Sequence, residues 1–192
     1  MKTNFVGSIL LLSAILLFAG CASTEITSYW QDPGYHKKPH KILVVALLKD
    51  VAIRQEVEDA FVHQLDDRGL EVISGTSAFP VHTPGNKSEL QKYLRDHGYD
   101  AFLLVRVVAE KDLVANVPGT APWPETDHTA PPPEGNVQRR IAMTEANLYD
   151  VTTQKLFWTA NTRTSFDEVD HALITEYVTQ IVRKMQQTGL VP

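Results

Sequence analysis

The run Lys41–Leu48 (KILVVALL) restricts the fold more than any other stretch of this chain. Beyond Lys41 it contains no polar residue and is rich in branched side chains, so it has no face to offer to water. Such a strand must be covered on both faces, which is the environment of a parallel sheet with helices above and below. The flanking sequence supplies the cover. Asp50 can cap a helix in which Ile53, Val57, Ala60, Phe61 and Leu65 recur at steps of three and four, and Gly69 stops it. Leu70–Ser74 (LEVIS) reads as a second strand. Ser88-Glu89-Leu90-Gln91 is a capping box opening a second helix, with Leu90, Tyr93, Leu94 and His97 on one side and Gly98 at its end. Ala101–Ala109 (AFLLVRVVA) is a third, again nearly continuous, apolar strand. Alternating strands and helices with short links predict right-handed crossovers and a parallel sheet.

Past residue 116 the character changes. Residues 117–135 hold six of the eleven prolines and predict an extended, solvated loop, because proline cannot donate a backbone hydrogen bond. Gln138–Val151 and Lys155–Ser165 read as two strands around a turn at Thr152-Thr153-Gln154, with Leu156 and Trp158 on one face. Ser165-Phe166-Asp167-Glu168 reads as a further capping box. It precedes a helix whose apolar stripe is Val169, Leu173, Tyr177, Ile181 and Met185. The expectation is an α/β three-layer sandwich. Its mixed sheet has three parallel strands and an antiparallel hairpin, in the order 2-1-3-4-5 counted from the strand at 41, with helices on both faces. No repeat of 20–50 residues is present, which excludes solenoids and propellers.

The amino terminus is a different material. Lys2 is followed by an apolar run from Phe5 to Phe18, then Ala19-Gly20-Cys21. A basic start, an apolar segment of this length and small residues before a cysteine form a secretion signal. Here the cysteine is the only one in the chain, and the arrangement resembles the bacterial lipobox, with Phe18 where leucine is usual. Small side chains admit a membrane peptidase, and the thiol of the new first residue can carry diacylglycerol. The competing reading is an uncleaved anchor over residues 5–22, but no basic cluster follows to stop transfer. Ala22, rather than an aspartate, resembles the signal for export to the outer membrane in enteric-type bacteria. The domain plan is therefore a signal peptide at 1–20, lipidated Cys21 and a polar tether to residue 40, and one α/β domain over 41–192 with the loop insertion at 117–135. In the tether, Tyr29 and Trp30 are expected to pack on the domain's edge.

The remaining motifs mostly exclude chemistry. With 18 Lys+Arg against 23 Asp+Glu the net charge is −5, which disfavours nucleic acid as a partner. The turn after the first apolar strand, Leu48-Lys49-Asp50-Val51, lacks the glycines a phosphate needs, and no P-loop or G-x-G-x-x-G occurs, so no nucleotide cofactor is expected. Ser77 lacks the G-x-S-x-G elbow of hydrolases. The histidines at 36, 40, 63, 82, 97, 128 and 171 are scattered. Pro39 breaks the helical spacing of His36 and His40, and no H-E-x-x-H occurs, so no metal is assigned. Arg106 inside an apolar strand needs a partner if buried. Glu145 in the next long strand is the candidate for a buried ion pair, the alternatives being an Arg at the sheet margin or an anion site on an exposed face. In the loop, Trp123 between prolines and the run Pro131, Pro132, Pro133 can serve as a preformed partner contact, or simply be a tolerated insertion.

Taken together, Ser28-Tyr29-Trp30-Gln31-Asp32-Pro33 after the lipobox, KILVVALLKD leading into Arg54–Asp59, and Tyr149–Trp158 in the pattern D-x-x-T-x-K-L-x-W resemble small bacterial envelope lipoproteins of unknown function. The strand plan is more distantly similar to the TolB amino-terminal-like domain of envelope assembly lipoproteins. The resemblance implies a non-catalytic binding or assembly module, held to the membrane through the lipid on Cys21, with an envelope protein as partner and no cofactor. The alternative is a small periplasmic hydrolase or ligand-binding protein with a site on the sheet face near Arg106.

Overall fold

The computed structural model describes residues 23–79, 87–117 and 135–192, the side chains at 113–117 and 135–138 excepted. Among these residues six strands form one mixed sheet, with four helices packed on it. The first apolar run is the central strand β2 (Lys41–Leu47), whose neighbours β3 (Glu71–Ser74) and β4 (Ala101–Val117) both run parallel to it. Helix α1 (Val51–Asp66) links β2 to β3. The short α2 (Gly75–Ala78) and then α3 (Lys87–Asp96) precede β4. The other side of β4 carries the antiparallel strands β5 (Gly135–Asp150), β6 (Leu156–Phe166) and β1 (Ser23–Gln31). Helix α4 (His171–Gln187) closes the fold.

The alternation of β2 explains the two layers of cover. Ile42, Val44 and Ala46 point to α1 and α4, where Phe61, Leu65, Val178 and Ile181 are sealed from solvent. Leu43 points to the opposite side and meets Leu94 of α3 and Tyr99. Burying a side chain such as Phe61 contributes about 1.5–3 kcal/mol, and this face holds most such residues. Asp50 caps α1, accepting from the backbone N–H of Ala52 and Ile53 at 2.8 and 3.1 Å. Gly69 and Gly98 end α1 and α3 at positive φ, as expected of them.

The predicted order of the five strands holds, with a sixth strand added at the edge. The stretch expected as a tether from 22 to 40 is instead β1 over residues 23–31, followed by a connection. Polar composition hid it because an edge strand buries only one face. Thr24 and Ile26 turn inward, and a bulge at Thr27 then breaks the alternation. Tyr29 and Trp30 do lie at the domain's edge. Tyr29 sits beneath the Lys184 ammonium at 4.6 Å, and both rings remain about half exposed. Two caps also differ. Ser88 lies inside α3 rather than ahead of it, and Asp170, not Ser165, caps α4 by accepting from Leu173 N–H at 2.8 Å. Ser165 instead pairs with Ser23 and Ile141 inside the sheet.

One end of the sheet is stitched by two carboxylates, the buried Asp150 and the half-buried Asp100. Asp150, with 4% of its side chain exposed, accepts from Thr153 N–H at 2.7 Å, from the Thr153 hydroxyl at 2.9 Å and from the Lys37 ammonium at 3.1 Å. Asp100 accepts from the backbone N–H of His40 and Lys41 at 2.8 and 3.1 Å. The D-x-x-T-x-K-L-x-W pattern is thus a folding motif. Asp150 and Thr153 shape the turn, Gln154 takes a φ of 60°, and Trp158 fills the core.

Burial pushes the Asp150 carboxyl upward, but the hydrogen bonds from Thr153 and the Lys37 ammonium outweigh it and hold the group below the ordinary carboxylate value. Because the folded value lies below the unfolded one, this stabilisation is complete above about pH 4 and fades as pH falls through the folded value. Asp150→Asn should cost about 1–3 kcal/mol at neutral pH in chemical denaturation. The gap to the unaltered chain should stay constant from about pH 5 to 8 and narrow below about pH 4.

Candidate functional site

The opposite end of the sheet is built differently. The chain passes from β2 to β3 on one side and returns to β4 on the other, so the order of strands reverses at the carboxyl ends of β2 and β4. In open α/β sheets that point is where ligands bind. β4, β5 and β6 run on past the last residue of β2, and α1 and α4 both begin above this overhang. The result is a groove of about 590 Å³ between the first turns of the two helices. Ile53 and Val57 come from α1, Leu173 and Tyr177 from α4, and Val107 and Ala142 from the sheet below.

The polar groups in this groove are largely engaged with one another. The Thr144 hydroxyl meets that of Thr162 at 2.5 Å and donates to the Tyr177 hydroxyl at 3.1 Å. Thr164 meets Thr24 at 3.1 Å. Burial raises the Tyr177 phenol to about 12, opposed by the bond from Thr144, so it stays neutral. Asp50, on the rim, is held by the N–H groups of its own helix. The groove suits holding an apolar group rather than transferring a proton. Among the described residues no group of three or more His, Cys, Asp or Glu is placed to hold a metal ion. Ser77 pairs with Ser74, whose hydroxyl donates to it at 2.8 Å and accepts from its N–H.

Arg106 and Glu145 are directly opposite in β4 and β5, and the guanidinium donates to one carboxylate oxygen through Nε at 2.6 Å and through Nη2 at 2.5 Å. The pairing was foreseeable, but the pair is not buried. Half of the Arg106 side chain is exposed, because among the described residues no helix covers this half of the sheet's second face. On that same face lie Trp30, Thr159, Asn147 and Leu104, successive neighbours across β1, β6, β5 and β4. The Asn147 Oδ1 and Thr159 Oγ1 are buried and have no hydrogen-bond partner. Cys21, Trp123, Pro131, Pro132 and Pro133 lie outside the described residues.

Glu58 is the residue that sequence reasoning missed. It is 1% exposed, accepts from Ala46 N–H at 2.9 Å, and accepts from both the N–H and the hydroxyl of Thr76 at 2.7 Å. It clasps the carboxyl end of β2 to α2. Its one sequence signal is position, since it lies between Val57 and Phe61 on the apolar side of α1.

No protein-family model and no curated protein matches the chain. Among solved structures it is similar to PelC from Paraburkholderia phytofirmans, crystallised as a dodecamer. The two are 11% identical over 86% of this chain and 97% of that one, with a TM-score of 0.50. It is also similar to the lipoprotein GNA1162 from Neisseria meningitidis, 17% identical over 78% of this chain and 99% of that one, TM-score 0.45. A DUF330 protein from Xanthomonas campestris is 12% identical over 88% of this chain and 91% of that one, TM-score 0.37. The PelC likeness shows a shared fold and nothing finer. The resemblance to the TolB amino-terminal-like domain gains no support from these structures.

The Glu58 clasp gives a direct test of how the carboxyl end of β2 is held. Glu58→Gln sets an amide donor against backbone donors and should cost about 1–3 kcal/mol in thermal or chemical unfolding. Gly75→Ala should also destabilise, because a Cβ there falls 2.8 Å from Val45 Cγ2 and 3.3 Å from the Glu58 carboxylate.

Proposed function

We propose that this chain is a lipid-anchored protein of the bacterial cell envelope, facing the periplasm from the outer membrane, that binds a protein partner and catalyses no reaction. The lipobox and Ala22 support the anchor and its destination. Among the described residues no helix is long and apolar enough to cross a membrane.

The observation that carries the binding role is the uncovered half-face of the sheet. It presents Trp30, 47% exposed, beside its cross-strand neighbour Thr159 and in line with the half-buried Leu104. Exposed tryptophan is the residue type most enriched in the energetic centres of interfaces. Arg106 is already bound by Glu145, which weighs against an anion-binding or hydrolytic site there. The five β4–β5 rungs from Leu113↔Arg139 to Val117↔Gly135 extend past the rest of the sheet, and the proline-rich segment with Trp123 and Pro131–Pro133 follows them in the chain. That segment offers a second contact. PelC, which shares the fold, forms a dodecamer, so a further copy of this chain is the first partner to test.

The mature protein should have lost residues 1–20 and gained lipid mass on Cys21, read by intact mass spectrometry. A product that keeps residues 1–20 or lacks lipid contradicts the anchor. A photoreactive side chain at Trp30 or Asn161 should crosslink to another chain in intact cells, while one at exposed Glu89 on α3 should not. Recovery of the monomer alone from the Trp30 and Asn161 positions contradicts the binding face.

A further inference from the structure

We propose that the groove between the first turns of α1 and α4 seats an acyl chain of the lipid carried by Cys21 of the same molecule, an inference that rests on the lipoprotein reading above. The interior asks for an apolar chain. Its volume of about 590 Å³ lies within the range of about 300–1,000 Å³ found for small-ligand pockets. The hydroxyls of Thr144, Thr164 and Tyr177 are engaged within the protein, so a polar ligand would compete with bonds already made.

The rim argues for the protein's own lipid rather than a membrane phospholipid. The N-termini of α1 and α4, which would otherwise attract a phosphate, are filled by the carboxylates of Asp50 and Asp170. Among the described residues, Asp50 and Glu110 line the mouth beside a single cation, Lys49. A phosphate head would meet that negative charge, whereas the diacylglyceryl group on a cysteine carries none.

The chain's entry point completes the argument. Thr24 bonds to Thr164, whose side chain forms part of the groove wall. Cys21 is three residues before Thr24, a reach of about 10 Å in extended chain. An acyl chain long enough to cross one leaflet, about 15 Å of hydrocarbon, spans from there into the groove. The lipid is thus delivered to the open end of the sheet by the strand that carries it.

The test uses the full chain made in a lipidating bacterial host fed palmitate bearing a diazirine, then irradiated and mapped by peptide mass spectrometry. The label should fall on groove residues, Ile53 and Leu173 among them, at least tenfold above the uncovered face around Trp30. Ala142→Trp, which fills the groove floor, should remove that label while intact mass still shows lipid on Cys21. Lipid on Cys21 with the label elsewhere in the unaltered chain overturns the groove assignment and leaves the lipoprotein reading standing. Groove label that persists in Cys21→Ala identifies a membrane lipid as occupant and overturns it too. A chain with no lipid on Cys21 fails the lipoprotein reading, and this proposal with it.

Discussion

The pairing of β1 with β6 is the interaction on which the functional account depends. Eight residues between Ser23 and Gln31 find partners in β6, beginning two residues after the lipobox cysteine. A lipid on Cys21, as proposed, would therefore have about 7 Å of chain between it and the sheet, where a free tether would have allowed several times that. Such a lipid would hold the domain close, and by a defined end. Ser23 pairs with Ser165, which pairs with Ile141, which pairs with Lys111, so the edge nearest Cys21 in the chain lies at the end where β4 and β5 run on past β2.

The two ends of the sheet are made of different materials, and the difference suits that orientation. Away from the anchor, Asp150 and Asp100 tie the connection after β1 to the start of β2 and to the β5–β6 turn. Carboxylates with two or more donors each make this end rigid. Towards the anchor, hydroxyls pair among themselves and aliphatic side chains line an open groove. Tightness at one end and an open groove at the other would place a ligand beside the proposed lipid attachment.

Much of the architecture was legible because it rests on local signals. The continuous apolar run of β2 required cover on both faces and received it up to Leu47, which is 58% exposed at the strand's end. Gly69 and Gly98 ended their helices at positive φ, and Asp150, Thr153 and Trp158 marked the last hairpin. What stayed hidden depends on long-range pairing. β1 looked like a tether because its inward residues are few and its bulge breaks the period. A second bulge between Val107 and Ala109 sets Glu110 opposite Ala142, a register that no alternation in β4 announces. Ser165 had the pattern of a helix cap, yet strand pairing claimed it. Arg106 and Glu145 could be matched from sequence, but whether a helix covers them is a property of the whole sheet. The groove was not legible at all, since its walls come from six separate elements.

The central claim is that the lipid holds the groove end of the sheet against the bilayer. Cys21 is the only cysteine, so with it lipidated a cysteine introduced elsewhere takes a spin label alone. The lipidated full chain, bound to vesicles containing a paramagnetic lipid headgroup, can be labelled at Lys111→Cys beside the anchored edge or at Thr152→Cys in the β5–β6 turn. Strong relaxation enhancement at position 111 and little at position 152 is the result predicted. Equal enhancement at the two positions, or a stronger effect at 152, would contradict it.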